Sequence, residues 1–435
     1  MSSEPKQNLV RAIGRWSLAA LMVNTMIGAS IFGLPSLIAA RLGRLSPVAY
    51  LVAGAGVAFI AACLAEVASQ FREAGGPYLY ARTAFPQFMA IQVGWLTWLT
   101  RIAASSAVAN LFVSYLSEFF PAVNNIAMRA AVLSMLIAFL AAVNYRGVSS
   151  GKKLSNFFTV TKLFLLLLFI GGGVTALLLH PAIRVTPAVV AASASDWFEA
   201  VILMVYAFGG FEAALIVTGE ARNPRKDAPF ALLVALVTTT LLYISVQYVV
   251  IHTLPNAAAS VKPAVDSARY FLGPVGTTLV AAGTLVAVYG YLSANMLHTP
   301  RLTYAMGESG DFPRFFAAVH PRFQTPHISI VIFAVIILVF SIGGNFEWNA
   351  TLSAVSRLFI YGSVAAALPA LRKKQPHADA FRLPAGMLFA GGALLFTLAL
   401  VSRMHRRELI VMVITSVLAL VNWLWARRRP QQLPG

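Results

Sequence analysis

The sequence is short of charge and almost empty of cysteine. Only 11% of its 435 residues are charged, against about 25% in an ordinary soluble chain. The deficit runs the whole length, which excludes a soluble domain of usual composition. A single cysteine, Cys63, stands in an apolar run; it excludes an internal disulfide and leaves the redox compartment unreadable. The seven histidines show no metal-ligand spacing. There is no HExxH helix, no Walker A and no Gly-rich loop between a strand and a helix. These absences argue against a zinc hydrolase and a resident nucleotide site, so ATP-driven transport would need a separate subunit. No Ser/His/Asp cluster suggests a membrane-embedded enzyme, and no cofactor is expected.

What is present is apolar: 59% hydrophobic residues and a mean hydropathy of +0.76. A helix crosses the hydrocarbon core with about 20 apolar residues. Such runs recur at 17–41, 46–70, 84–116, 127–145, 155–179, 196–217, 228–253, 274–300, 327–344, 350–371, 384–402 and 408–426. Twelve spans put both termini on one side. Of the 33 Lys and Arg, 21 fall in loops on the terminal side and 9 on the other, while Arg101, Lys162 and Arg357 lie inside spans. Basic loops mark the cytoplasm, so both termini are expected there, in a multi-pass plasma or inner membrane protein. The net charge of +18 is then a topology signal rather than a nucleic-acid footprint, and the partner is the bilayer.

Two spans are interrupted by small residues. The first carries Ile27-Gly28-Ala29-Ser30-Ile31-Phe32-Gly33 and the sixth Phe208-Gly209-Gly210-Phe211-Glu212. Small residues also serve close helix packing. However, these breaks lie five spans apart, at matched positions of two five-span units. Five is odd, so the units would be inverted repeats, about 17–179 and 196–371, with two further helices over 384–426. Matched interruptions of inverted repeats point to a transporter's binding site. An unwound helix exposes N–H groups on one side and carbonyls on the other, and hydrocarbon satisfies neither. A zwitterionic amino acid satisfies both, its carboxylate at the positive end of a half-helix and its ammonium at free carbonyls.

These pieces resemble the amino acid–polyamine–organocation superfamily, whose fold is often called LeuT-like. The resemblance covers nearly the whole chain. Ile27–Gly33 is similar to the family's GSGIF-type break and Phe208–Glu212 to its GFE-type break. Further support comes from Ala65-Glu66 through Glu73-Ala74-Gly75-Gly76-Pro77-Tyr78, from Thr218-Gly219-Glu220-Ala221-Arg222-Asn223-Pro224, and from Arg301 to Met306. The resemblance implies an all-α membrane protein of about twelve helices, a 5+5 inverted repeat plus two. It also implies that the substrate carboxylate meets the amides of Ala29, Ser30 and Ile31 beside Ile27 and Gly28. The ammonium would meet carbonyls of Met26, Tyr206 and Gly209, with Phe208 and Asn295 lining the side-chain pocket. The sequence departs from the pattern in having Gly28-Ala29-Ser30 where Gly-Ser-Gly is usual; Ser30 adds a side chain at the tightest approach.

Ionisable groups inside spans are costly and mark function by default. Lys162 stands where sodium-coupled relatives hold an ion, which implies sodium-independent transport; the alternative is a lysine snorkelling to the interface. Glu212, just after the second break, is a gating or proton-sensing carboxylate by resemblance, or a structural acceptor for the first span. Arg101 must face the bundle interior. Its depth makes Glu212 its expected partner, with a substrate carboxylate or a structural pair as alternatives. Glu66 and Arg357 read as structural, Glu66 near the terminal-side end of the second span and Arg357 pairing at the far end of the bundle. His298 reads as interfacial. The expected function is secondary transport of amino acids by alternating access; the alternative of a polyamine or organic amine is disfavoured because carboxylates near the site are few and Arg101 opposes cations. Proton symport and amino acid exchange both remain open.

Overall fold

A computed structural model describes residues 14–71, 76–147, 152–214, 223–374 and 380–427. Among them every regular element is a helix. The first apolar run forms α1 (Arg15–Met26) and α2 (Ser30–Leu42), followed by α3 (Ser46–Ser69), the short α4 (Gly76–Ala84), α5 (Gln87–Leu116), α6 (Ile126–Tyr145) and α7 (Lys152–Leu179). The sixth run forms α8 (Ala194–Phe208) and α9 (Phe211–Ala214). Then come α10 (Pro224–Thr253), the short α11 (Pro263–Phe271), α12 (Gly273–Glu308), α13 (His327–Gly343), α14 (Phe346–Lys374), α15 (Gly386–Val401) and α16 (Arg406–Arg427). Among the described residues eight helical stretches are long and apolar enough to cross a membrane, with Ser30–Ser69 counted as one, and α13 and α15 are shorter apolar helices. Residues 73–75 and 218–222 of the two loop motifs, and 215–217 of the sixth run, lie outside the described residues.

Local chemistry sets the boundaries. Asn125 caps α6 by accepting the Ala127 N–H at 2.9 Å. Ser193 and Asp196 form a capping box at the start of α8. The third run begins later than its apolarity suggests because Pro86 is extended, at ψ 153°. The eighth runs eight residues past its expected end, through Pro300, where Thr303 Oγ1 donates to the Pro300 carbonyl at 3.1 Å.

The centre of the bundle is α5, with α14 along it; Ser353 Oγ donates to the Thr100 carbonyl at 3.1 Å. Helix α10 packs on α1 and α3, α12 on α5 and α7, and α2 on α8. Helices α15 and α16 cover α3, α14 and α5 from outside. Phe139, Phe164, Leu167, Val335, Val339 and Val417 are exposed on the outward faces of α6, α7, α13 and α16, an apolar belt that lipid would cover.

Polar contacts gather at the two ends. At one end Arg15 lies 3.9 Å from Asp227 and Lys374 Nζ donates to the Thr83 carbonyl at 3.1 Å. Trp423 packs on Phe88, which sets the end of α16 beside the start of α5. Here Glu66 binds Arg372 through two bonds of 2.7 Å and accepts the Leu383 N–H at 2.8 Å, clasping the approach to α15 onto α3. Buried Asp311 accepts from Tyr78 and Gln87, while its carbonyl accepts from Asn422. At the other end Arg41 joins Glu199, at 3.1 Å, to Glu347. Glu118 binds Lys262 and Arg269; burial pushes its carboxyl up, and the two cations more than reverse this, holding it below the usual carboxylate range.

Candidate functional site

The site is built from helix ends. The last carbonyls of a helix have no partner within it, and α1 stops in the interior of the bundle. Ile27 leaves helical geometry at ψ 84°, and its N–H still reaches the Val23 carbonyl at 2.9 Å. The Gly28 N–H bends back to Met26 at 2.7 Å, so the Asn24 carbonyl loses its helical donor. Lys162 Nζ, from α7, supplies one at 2.7 Å. The Met26 carbonyl accepts from the Tyr243 hydroxyl at 2.9 Å. That hydroxyl also lies 2.9 Å from the carbonyl of Ala207, in the last turn of α8. One phenol on α10 thus ties the two broken helices together.

The second break is tighter. Gly209 is extended and Gly210 takes φ +120°. A Cβ on Gly209 would overlap the Arg357 guanidinium, and one on Gly210 would overlap the Thr25 carbonyl. The Gly210 N–H donates to Glu212 Oε2 at 2.8 Å. The same carboxylate takes Arg357 Nη1 at 2.7 Å and the Tyr361 hydroxyl at 3.1 Å. Both partners stand on α14, one helical turn apart.

Both breaks open on one cavity of about 680 Å³. Met26, Ile27, Gly28, Ala29, Ser30, Tyr206, Gly209, Asn295, Lys162, Glu212 and Arg101 all line it, as do Arg357 and His298. Two expected residues stand elsewhere. Ile31 is buried outside the lining. Phe208 packs on Tyr243, with ring centroids 5.6 Å apart. Two residues separate it from Tyr206, about 200° around a helix, so the two rings face opposite ways. The expected Arg101–Glu212 pair is also corrected: Glu212 is held by Arg357, and Arg101 has no ion pair among the described residues. Arg357, expected at the far end of the bundle, belongs to this site.

A family model described as amino acid permease matches residues 13–425. The chain belongs to the amino acid permease family. It is therefore a multi-pass membrane protein of the amino acid–polyamine–organocation superfamily. Its relatives include the methylthioribose transporter of Bacillus subtilis, 28% identical over 88% of this chain and 86% of that protein. The branched-chain amino acid permease of the same organism is 25% identical over 98% of this chain and 95% of its own. The serine/threonine exchanger of the same organism is 25% identical over 81% of each chain.

Sequence reasoning missed two groups in this permease, Tyr243 and Tyr361, and read a third, Arg357, as structural. Tyr243 and Tyr361 are ordinary aromatics in apolar helices, and nothing local marks them. Arg357 carries a faint signal, since Tyr361 lies four residues on and shares its helix face. The glycines give a direct test. Gly210→Ala is expected to destabilise the permease severely: the strained φ alone costs about 1–3 kcal/mol, and the Thr25 backbone leaves no room for a Cβ. At Gly28 the nearest group to an added Cβ is Ser30 Oγ at 3.8 Å, so Gly28→Ala should fold far better. Equal losses in thermal unfolding of the two detergent-purified variants would reject this account of the second break.

Proposed function

We propose that this permease carries amino acids across the membrane by alternating access, without sodium. The observation that carries the reading is the convergence of two interior helix breaks on one cavity. A zwitterion fits such a place: amides at the start of α2 suit its carboxylate, and carbonyls at the ends of α1 and α8 suit its ammonium. In this reading Ala29 and Ser30 present the amides, Met26, Tyr206 and Gly209 the carbonyls, and Asn295 the side-chain contact. The twelve apolar runs form two inverted five-helix units, 17–179 and 196–371, plus two outer helices, with both termini cytoplasmic. Lys162, held on an orphan carbonyl, takes the place of a coupling ion, and Glu212 is the gating carboxylate. Proton symport is the leading mode. Exchange is the second, and the serine/threonine exchanger among the relatives favours it.

The test is uptake of labelled amino acids into proteoliposomes, with pH gradient, sodium and internal substrate varied separately. Uptake should persist when choline replaces sodium at fixed pH. Loss of uptake in choline would rule out the sodium-independent reading. Dependence on internal substrate, with no response to the proton gradient, would select exchange.

A further inference from the structure

The described lining of the cavity is unbalanced in charge. Arg101, Lys162 and Arg357 supply three basic groups, with the His298 imidazole beside them, and Glu212 supplies the one carboxylate. That carboxylate is fully engaged by Arg357, Tyr361 and the Gly210 N–H. Two donors are left over. Arg101 has no ion pair among the described residues, and the buried Nε of Arg357 has no acceptor. Even with Lys162 neutral, two guanidiniums face one carboxylate. A charge in the interior of a membrane protein needs a partner or a wet cavity, and an unmatched buried donor is expensive to keep.

A neutral amino acid would not balance this. Its carboxylate is occupied at the first break, and its ammonium adds a cation beside Arg357, whose guanidinium lies against Gly209. We propose that the cavity selects amino acids with an anionic side chain, Arg101 binding the distal carboxylate. This rests on the transporter reading above and adds the charge of the cargo. A guanidinium matches a carboxylate with two parallel bonds, and an isosteric amide offers only one acceptor atom. The smaller cavity at the opposite end is nearly balanced, with Arg41, Arg403, Arg406 and Arg407 against Glu199, Glu347 and Glu408, so the basic excess belongs to the central cavity. Basic walls raise the local concentration of anions.

Isosteric pairs separate charge from shape. The purified full chain in proteoliposomes is offered labelled L-aspartate or L-asparagine, and L-glutamate or L-glutamine. We expect the acid of each pair to be taken up with the lower KM. Arg101→Gln should move the aspartate-to-asparagine KM ratio by at least about tenfold toward asparagine, and Arg101→Lys should recover part of the shift. If Arg101→Gln does not fold, Arg101→Lys and competition between the members of each pair on the unaltered protein give the same answer. Asparagine and glutamine transported as well as or better than the acids would overturn the inference and leave the transporter reading standing. No uptake of any amino acid, and no thermal stabilisation by any, would overturn both.

Discussion

Arg357→Met and Glu212→Gln should each lower the stability of the solubilised protein by about 3–5 kcal/mol, and the double variant should lose much less than the sum. The pair is close, at 2.7 Å, and side-chain exposure is only 4% for the arginine and 11% for the glutamate. Removing one member strands the other charge where neither water nor lipid can solvate it; removing both does not. Glu212 also holds the Gly210 N–H, so its loss slackens the second break as well. The comparison that decides the partner is Arg101→Met combined with Glu212→Gln. Coupling there should be much smaller than through Arg357, because Arg101 acts on Glu212 only through space and shares no bond with it. Both cycles are read by equilibrium denaturation in mixed micelles. Coupling through Arg101, with additivity through Arg357, would reverse the assignment.

A second large effect is expected at Lys162. Lys162→Ala strips the donor from the Asn24 carbonyl and cuts the bond between α7 and the end of α1. A hydrogen bond from a charged group contributes about 1.5–3 kcal/mol, equivalent to roughly ten- to a hundredfold in an equilibrium constant. Net uptake should fall by about that factor if, as proposed, α1 is repositioned in each transport cycle. Substrate binding in detergent should change much less, since the break residues that meet the substrate remain. Lys162→Arg preserves a charge that cannot be released. It should bind substrate and stall in any step that requires deprotonation. An arginine variant that transports normally across the pH range would make residue 162 a fixed structural cation and favour exchange.

The helices and their interruptions could be read from the sequence because both are local. Apolar runs near 20 residues define the first, and Gly28 and Gly209-Gly210 mark the second within a few positions. The partners of those breaks were not legible. Tyr243 reaches Met26 and Ala207 across 217 and 36 residues, and such contacts depend on how α10 is rotated against its neighbours. Depth alone could not choose between Arg101 and Arg357. Thr100 and Ser353 touch, so the two arginines sit within about one to one and a half helical turns of each other in depth, and helix phase gives Glu212 to one of them. Phase likewise turned Phe208 away from the cavity. Lys162 was legible by resemblance, but its acceptor, a carbonyl freed by unwinding, follows only from counting the backbone bonds of α1.

The Arg41 contact at the opposite end has a consequence of another kind. One guanidinium holds two carboxylates, and exposures of 18%, 26% and 37% leave all three groups within reach of dissolved ions. Mobile salt screens such groups strongly, over a Debye length of about 8 Å at physiological ionic strength. The buried Glu212–Arg357 pair has almost no such contact. Raising the ionic strength on that side would therefore weaken the Arg41 contacts that join α2 to α8 and α14 and leave the buried pair untouched, so the bathing electrolyte sets how firmly these three helix ends are held together.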